Sequence, residues 1–373
     1  MNWPPPRKEY IKQQQALHGR KIFGVFPAVY PKELLWALNI LPVEIWDPPL
    51  VAVNAGAHLQ PTICSVVRQG LELILQGKCD DLDGFLFPHT CDSLQNLASI
   101  VNDCLNDNKP CYFFYPPRAL SREISQKYFL DQLRDLAKTL EAQLGPLYPD
   151  ELRKRVAQGQ EIAERINRIY ELRARGELDV SNTDFYRALR SGEYLFPDDY
   201  EKLLDTLVQQ TGQEIDGSLC VILSGVLPNP PEILTLLDDQ NVRIAEDDLL
   251  NCARRLRFAA AQDQDPFKAL ATQYFSLPPC STRNSPIQER LEDILSKIDT
   301  TGARGVIFYV VKFCEPELFD IPQLTAELKK RGLKTLEIDV ELGRGLSGQL
   351  TTRVEAFIEM IRNKGKAASM AAT

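Results

Sequence analysis

Short apolar segments alternate with segments of helical spacing in two stretches of this chain, and this alternation constrains the fold more than any other feature. In the first stretch the strand-like segments are KIFGVFP (21–27), PVEIW (42–46), GFLFP (84–88) and PCYFFYP (110–116). In the second stretch they are SLCVILSGV (218–226), NVRIAEDD (241–248), GVIFYVVKFC (305–314) and KTLEIDV (334–340). Strands that alternate with helices of about 10–15 residues predict βαβ units and parallel sheets.

Between these stretches, residues 121–210 are charged and helical in period, and strand-like runs are missing. We interpret this segment as a helical insertion between two similar halves. The sequence therefore predicts an α/β fold with two Rossmann-like (flavodoxin-like) parallel-sheet halves that face a cleft. The predicted division is an N-terminal α/β domain (1–120), a helical segment (121–210) and a C-terminal α/β domain (211–373). Ligands of open parallel sheets bind outside the carboxyl ends of the strands, so we expect the functional site there.

Composition and charge narrow the classes of partner. The 373 residues carry 43 Lys and Arg against 51 Asp and Glu, which gives a formal charge of −8 at pH 7. This acidic balance argues against nucleic acid, because phosphate binding needs a basic footprint. No apolar run approaches the roughly 18 residues that span a bilayer, and MNWPPPRKEY (1–10) lacks the apolar region of a signal peptide. We expect a cytoplasmic protein that binds neither nucleic acid nor a membrane.

The nine cysteines are spread over the whole chain, at positions 64, 79, 91, 104, 111, 220, 252, 280 and 314. An odd number in a long cytosolic chain does not indicate a disulfide framework. The sequence has no CxxC pair, which excludes a compact zinc knuckle and a thioredoxin-type motif. A metal site built from these thiols would have to be assembled from distant parts of the chain.

Three of the cysteines fall where parallel sheets place chemistry. Cys91 and Cys314 each follow a predicted strand, one in each half, and Cys64 begins a predicted helix, whose N-terminus favours a thiolate. Three thiolates around one cleft suit an iron–sulfur cluster and leave one iron without a protein thiolate. The alternative is that these cysteines are packed side chains with no ligand role.

The chain resembles the 2-hydroxyacyl-CoA dehydratase and benzoyl-CoA reductase family, in its cluster-bearing subunits. The resemblance is carried by GVFPAVYPKELLWALNILPVEIW, ICSVVRQGLELIL, LDGFLFPHTCDSLQNL, VKFCEPELFDIPQL and LEIDVELGRGLSGQLTTRVEAFIEMI. Order and spacing agree along nearly the whole chain, least so in the central helices. The last of these segments is the most specific, and the three cysteines of the family pattern fall on Cys64, Cys91 and Cys314.

This resemblance implies one 4Fe–4S cluster per subunit, held by those three cysteines. It also implies a heterodimer with a homologous second subunit, and a separate ATP-hydrolysing iron–sulfur activator that delivers one electron at low potential. The chain has no GxxxxGK loop, which agrees with ATP being used by another protein. The electron would reach the thioester carbonyl of an acyl-CoA substrate, giving a ketyl radical in the dehydratases, or would stay in an aromatic ring in the reductases.

Three further side chains are candidate catalytic residues. His89, two residues before Cys91, could hydrogen-bond a cluster sulfur or protonate a departing hydroxyl, or it could only cap a turn. Ser93 could contact the cluster or the substrate oxygen, although an N-cap of the following helix is the favoured interpretation; Asp92 has the same ambiguity. Glu33 could act as a base or contact substrate, although favourable placement at a helix N-terminus explains it better.

The end of the last strand and the start of the final helix offer weaker candidates, namely Asp339, Gln349, Thr352 and Arg353. Together they could bind a carbonyl, a phosphate or the partner subunit, and a salt bridge between Asp339 and Arg353 would explain them as well.

Cys280, in a loop bounded by prolines, is the best-placed fourth thiol, although an idle loop residue is the favoured interpretation. Cys252 would have to join it if two clusters were present.

We therefore predict an oxygen-sensitive iron–sulfur subunit of an acyl-CoA dehydratase or reductase, which passes a low-potential electron to a thioester. Two alternatives stay open at this point. A double-cubane reductase of the same family would need about twice as many thiolates. A scaffold subunit would keep the fold and bind no iron.

Overall fold

The structure is a computed structural model that describes residues 3–105, 109–212, 219–261 and 263–370. It contains two four-stranded sheets, and every strand pairing in them is parallel. The two sheets have the same strand order, with the first strand between the second and the third and the fourth at the far edge. This 2-1-3-4 order is the flavodoxin-like arrangement, so the predicted fold class is confirmed.

The first sheet is built from β1 (Lys21–Val25), β2 (Ile40–Glu44), β3 (Gly84–Pro88) and β4 (Cys111–Phe114). The helices that accompany it are α1 (Arg7–His18), α2 (Lys32–Ala37), α3 (Ser65–Leu75) and α4 (Asp92–Ser99), the last of which continues as a π turn over Ile100–Cys104. The strands β2 and β3 are buried along their whole length, as parallel strands covered on both faces must be.

The second sheet repeats this arrangement with β5 (Leu219–Gly225), β6 (Val242–Leu249), β7 (Gly305–Val311) and β8 (Lys334–Val340). In the described chain, its helices are α9 (Glu232–Asp239), α10 (Ala253–Leu256), α12 (Ile287–Thr301), α13 (Glu315–Lys330) and α14 (Gly348–Met370). The same stretch also contains α11 (Pro266–Ser276), which packs on the core of the first sheet. The apolar runs of β5 and β7 are fully buried, whereas β8 at the edge is only partly buried.

The segment between the sheets is helical, and it consists of α5 (Glu123–Leu144), α6 (Pro149–Arg175), α7 (Asn182–Ser191) and α8 (Pro197–Val208). The 27-residue α6 begins at a proline, which suits the first helical position, and ends at Gly176 in the left-handed conformation. Its apolar face packs against α8 and α2. The division of the chain into domains at residues 120 and 210 stays a prediction.

Buried polar contacts join the two halves. The carboxylate of Glu44, at the end of β2, accepts hydrogen bonds from Arg255 (2.8 Å), Tyr30 (3.0 Å) and Trp46 (2.6 Å), and its oxygen lies 2.6 Å from the ammonium of Lys32. Glu44 is fully buried, and the charges of Arg255 and Lys32 outweigh burial and hold its pKa at about 2. A buried carboxylate with this many donors fixes α10 of the second half against the first sheet.

Among the described helices, none combines the length and the apolar character that a membrane span needs.

Candidate functional site

Cys91 and Cys314 occupy matching places in the two sheets. Cys91 follows β3 and precedes the first residue of α4, whereas Cys314 follows β7 and precedes the first residue of α13. The strands β3 and β7 hold the same position in the strand order of their sheets, next to the central first strand. Each thiol therefore lies at the carboxyl end of a buried strand and at the N-terminus of a helix.

Cys64 lies at a third helix N-terminus, because it is the residue before α3. The loop after β8 holds this helix end against the second half. The hydroxyl of Ser65 accepts a hydrogen bond from the backbone N–H of Leu342 at 3.1 Å, and Arg68 forms an ion pair with Glu341 at 2.9 Å. These contacts bring a cysteine of the first half to the side of the second half that carries Cys314.

The three thiols are electrostatic neighbours. Burial is the main cause that raises the pKa of each, and it raises that of Cys64 to about 12. Thiolate charge at Cys91 raises the pKa of Cys64 further, and charges at Cys64 and Cys91 both raise that of Cys314. Because such repulsion acts over short distances, the fold brings these three cysteines together.

Backbone amides face the same three sulfurs. The N–H groups of Val66 and Val67 lower the pKa of Cys64, and those of Leu94 and Ser93 lower that of Cys91. The N–H of Glu317 does the same for Cys314. First-turn amides of a helix have no partner within the helix, so they are free to stabilise negative charge on a thiolate.

The three thiols share or border one apolar cluster. Cys64 belongs to a buried cluster with Leu227, Val311 and Leu342, and Cys91 and Cys314 pack against the same cluster. Across the described residues, no three His, Cys, Asp or Glu side chains form a group that could hold a single metal ion. The donor set, three thiols without a carboxylate or imidazole among them, suits an iron–sulfur cluster instead, in which each thiolate binds a different iron.

The strand end that carries Cys91 is tied to the neighbouring strand end. The hydroxyl of Thr90 accepts from the N–H of Ala28 at 3.0 Å and donates to the carbonyl of Pro27 at 2.8 Å. Arg118 donates to the Thr90 carbonyl at 2.9 Å. The polar residues after β3 thus hold the loop that presents the thiol.

His89 lies in this loop, with its Nε2 3.8 Å from Asp92 and its ring edge-on to Tyr115. Burial and then the charge of Arg118 lower the pKa of His89, and Asp92 partly offsets this. Its predicted roles stay predictions. The interpretation of Ser93 as the N-cap is wrong: α4 begins at Asp92, so the N-cap is Cys91 itself, with extended dihedral angles (φ −155°, ψ 169°).

Glu33 lies on α2, where it lines a cavity with residues of the central helices. It is in the first turn of its helix, as predicted, and it is 8% exposed. Burial raises its pKa to about 7, although its own backbone N–H and Lys32 oppose the shift. Its role in catalysis stays a prediction.

The remaining candidates lie in different parts of the structure. Arg353 donates to the backbone carbonyl of Glu337 at 2.7 Å, and no ion pair joins it to Asp339 among the described residues, so the alternative explanation by a salt bridge is wrong. Cys280 is buried beside the hydroxyl of Thr282 (3.2 Å) and belongs to the apolar cluster of Cys64. Cys252 lies in another core, where burial and Asp247 raise its pKa.

Sequence reasoning missed a buried ionic network under Cys314. Glu317, in the first turn of α13, accepts hydrogen bonds from Arg254 (3.2 Å), Arg290 (3.3 Å) and Ser281 (2.6 Å). The same two guanidinium groups donate to Asp248 at 2.8 and 3.0 Å. All four charged side chains are at most 2% exposed. One feature of the sequence could have indicated this network: the apolar strand β6 contains acidic residues, and arginines follow it closely.

Comparison with known proteins agrees with this architecture. The family described as "2-hydroxyglutaryl-CoA dehydratase, D-component" matches residues 27–361. The chain is 25% identical to the (R)-phenyllactyl-CoA dehydratase beta subunit of Clostridium sporogenes over 95% of each chain. It is 25% identical to the (R)-2-hydroxyglutaryl-CoA dehydratase beta subunit of Acidaminococcus fermentans, over 92% of this chain and 93% of that one. It is 26% identical to a subunit of the benzoyl-CoA reductase of Thauera aromatica, over 94% and 93%. The chain therefore belongs to the 2-hydroxyglutaryl-CoA dehydratase D-component family.

Proposed function

We propose that this chain is the iron–sulfur subunit of an oxygen-sensitive enzyme of the 2-hydroxyacyl-CoA dehydratase or benzoyl-CoA reductase type. In this proposal Cys64, Cys91 and Cys314 hold one 4Fe–4S cluster. The cluster would receive a low-potential electron from an ATP-hydrolysing activator and supply it to an acyl-CoA thioester bound with a homologous partner subunit. The names of the relatives, which are dehydratase and reductase subunits, support the reaction class and the partner.

The observation that carries this proposal is that three thiols at three helix N-termini border one apolar cluster. They lie near enough for charge on Cys91 to raise the pKa of Cys64, and for charge on Cys64 and Cys91 to raise that of Cys314. Two of them follow equivalent strands, so they are related by the repeat of the fold. The third is brought to them by the Ser65–Leu342 contact. Cysteines that only fill space in a core need not each lie at a helix N-terminus, because a neutral buried thiol needs no amide donors.

The chain's own residues would do three things for such a cluster. Amide groups of the first turns of α3, α4 and α13 would donate towards the thiolate sulfurs and stabilise their charge. The apolar cluster around Cys64 would exclude water, which protects reactive low-potential centres and strengthens the electrostatic contacts. The ionic network around Glu317 would hold the start of α13 in place.

The test is the iron and acid-labile sulfide content of the chain purified without oxygen. We expect about four irons and four sulfides per chain. Replacing Cys91 by alanine should remove or cripple the cluster spectrum. Cys104, which is exposed and lies only 13 positions further along the chain, provides the matched control, and Cys104→Ala should keep the wild-type iron content.

Other outcomes separate the alternatives. About eight irons per chain would support a double cubane, although Cys252 lies in a different core from the three thiols. An intact cluster spectrum in the Cys91→Ala protein would overturn the ligand assignment. If anaerobic reconstitution loads no iron into the wild type, the chain is a scaffold subunit.

A further inference from the structure

A cavity of about 100 Å³ lies between α2 and the helices α5, α6 and α11. Its walls are mainly apolar and include Phe114, Phe129, Leu133, Ile162, Ala163 and Tyr274. Most of these residues belong to a core distinct from the apolar cluster that surrounds Cys64. The cavity therefore lies over the first sheet, and none of the three cysteines lines it, although Ala28 at its wall belongs to the cluster of Cys64.

One carboxyl group belongs to this cavity and has no partner from elsewhere in the described protein. Glu33 is 8% exposed, and none of the hydrogen bonds or ion pairs found between described residues involves its side chain. Its Oε1 lies against Gly159 of α6, where a Cβ atom would be only 2.4 Å away. A glycine in the interior of a 27-residue helix is unfavourable, and here it leaves the space that the carboxyl group occupies.

The Glu33 carboxyl group is the polar end of this cavity. Trp36 and Gln273 also belong to its wall, but their unpaired side-chain nitrogens are sealed within the wall and are not open to the cavity. Burial raises the pKa of Glu33 to about 7, so a large fraction of this carboxyl group is protonated at neutral pH and can donate a hydrogen bond. The nearby cations do not pair with Glu33, because Lys32 and Arg255 both form ion pairs with Glu44.

Three unfavourable features therefore meet at one place: an unfilled apolar volume, a buried carboxyl group without a partner from another residue, and an interior helix glycine. Each lowers stability on its own, and such features cluster where a protein binds something. We propose that this cavity is a binding site for a small, uncharged carbonyl compound, with its apolar body among the aromatic and aliphatic walls and its carbonyl oxygen accepting hydrogen bonds at the Glu33 end.

The size and the chemistry of the cavity define this ligand class. A cavity of about 150 Å³ binds benzene, so a volume of about 100 Å³ takes roughly four or five heavy atoms. An anionic ligand is disfavoured, because it would face the ionised fraction of Glu33 in an apolar site whose described lining residues include no free cation to offset its charge. A primary amide fits best, since its oxygen accepts from the protonated Glu33 carboxyl group while its NH₂ donates to the carbonyl oxygen of the same group.

The experiment measures binding of propionamide to the full chain by saturation-transfer NMR, together with the midpoint of thermal unfolding. We expect saturable binding and a rise in the midpoint, because a ligand that binds only the folded state stabilises it. Propionate, which has the same number of heavy atoms but is charged, should bind at least tenfold more weakly at pH 8. The proposed site does not depend on the cluster, so iron content should be unaffected by any of these ligands.

Two variants locate the site. Ala163→Phe should fill the cavity and weaken propionamide binding at least tenfold, whereas Ala157→Phe, on an exposed position of the same helix, should leave it unchanged. Glu33→Leu keeps nearly the same volume, removes the polar end, and should also weaken binding at least tenfold. Binding that does not saturate in the wild type would overturn the proposal. So would wild-type affinity in either a folded Ala163→Phe protein or a folded Glu33→Leu protein.

Discussion

Replacing Glu317 by glutamine should destabilise the protein by about 3 kcal/mol. The guanidinium groups of Arg254 and Arg290 outweigh burial and lower the pKa of Glu317 from 4.5 to about 2. A pKa lowered this far corresponds to about 3 kcal/mol of favourable interaction. Removing one member of a buried ion network costs roughly 3–5 kcal/mol, because its partners lose their compensating charge. Glutamine has nearly the same volume as glutamate, so the loss of stability reports the contribution of the carboxylate charge.

The assay is urea unfolding of the cluster-free chain, followed by far-UV circular dichroism, in the wild type and the Glu317→Gln variant. Glu327→Gln is the matched control on the same helix. Glu327 forms only the exposed (i,i+3) and (i,i+4) pairs with Lys330 and Arg331, so its replacement should leave the free energy of unfolding close to that of the wild type. If Glu317→Gln costs less than about 1 kcal/mol, the network does not stabilise the start of α13 and the reasoning is refuted.

The loss of stability in the Glu317→Gln variant should depend on pH. The pKa of Glu317 is lower in the folded protein than in the unfolded chain, so its contribution is present in full above about pH 4.5 and is lost as the pH falls towards 2. The difference in stability between the wild type and Glu317→Gln should therefore shrink over this range. A difference that stays constant from pH 6 to pH 3 would show that the carboxylate charge is not its cause.

Three further changes test the backbone and the loops around the candidate site. Gly225→Ala should cost several kcal/mol (roughly 3 or more) in urea unfolding, because a Cβ at this left-handed position (φ 153°) would lie 2.1 Å from the backbone oxygen of Tyr309. Phe313 has φ 65°, so Phe313→Gly should be more stable than Phe313→Ala by about 1 kcal/mol, the reverse of the usual order. Glu72 accepts three backbone N–H groups from residues 53–55, at 2.7–2.9 Å; Glu72→Gln should accelerate amide hydrogen exchange there, and equal exchange rates would contradict this role.

The two-sheet architecture could be predicted from the sequence because buried parallel strands are nearly continuous apolar runs. The least accurate prediction concerns β2, which the sequence places over residues 42–46 and which spans Ile40–Glu44. Pro42 favours a strand start, but β2 is an edge strand, and a proline is tolerated there with its missing N–H on the open side. Local rules about proline thus depend on the position of a strand in its sheet, which the sequence does not reveal.

The predicted start of α4 is wrong for a related reason. Serine is a much stronger N-cap residue than cysteine, so the sequence favours Ser93 as the cap. The chain instead enters the helix at Asp92, and Cys91 takes the extended capping position with its sulfur near the amides of Ser93 and Leu94. A preference of about 1 kcal/mol is small enough for the tertiary fold to override.

The ionic network and the apolar cavity could not be predicted, because each is assembled from elements far apart in the chain. The network joins Asp248 of β6, Arg254 of α10, Arg290 of α12 and Glu317 of α13. The sequence does show charges at unexpected places in β6 and after it, but pairing them needs the three-dimensional arrangement. Buried charges in an apolar strand indicate that charged partners exist, but the sequence does not identify those partners.

The most specific segment of the family resemblance, LEIDVELGRGLSGQLTTRVEAFIEMI, contains no cysteine, and the structure gives a physical reason for its importance. The loop after β8 docks on the start of α3 through the Leu342–Ser65 hydrogen bond and the Glu341–Arg68 ion pair. Within this loop Gly343 has a left-handed backbone (φ 78°), and a Cβ there would lie 2.7 Å from the carbonyl oxygen of Leu50. Cys64 is in the first half and Cys314 in the second, so their separation is set by this contact. The segment therefore acts on the candidate site by fixing how the two sheets meet.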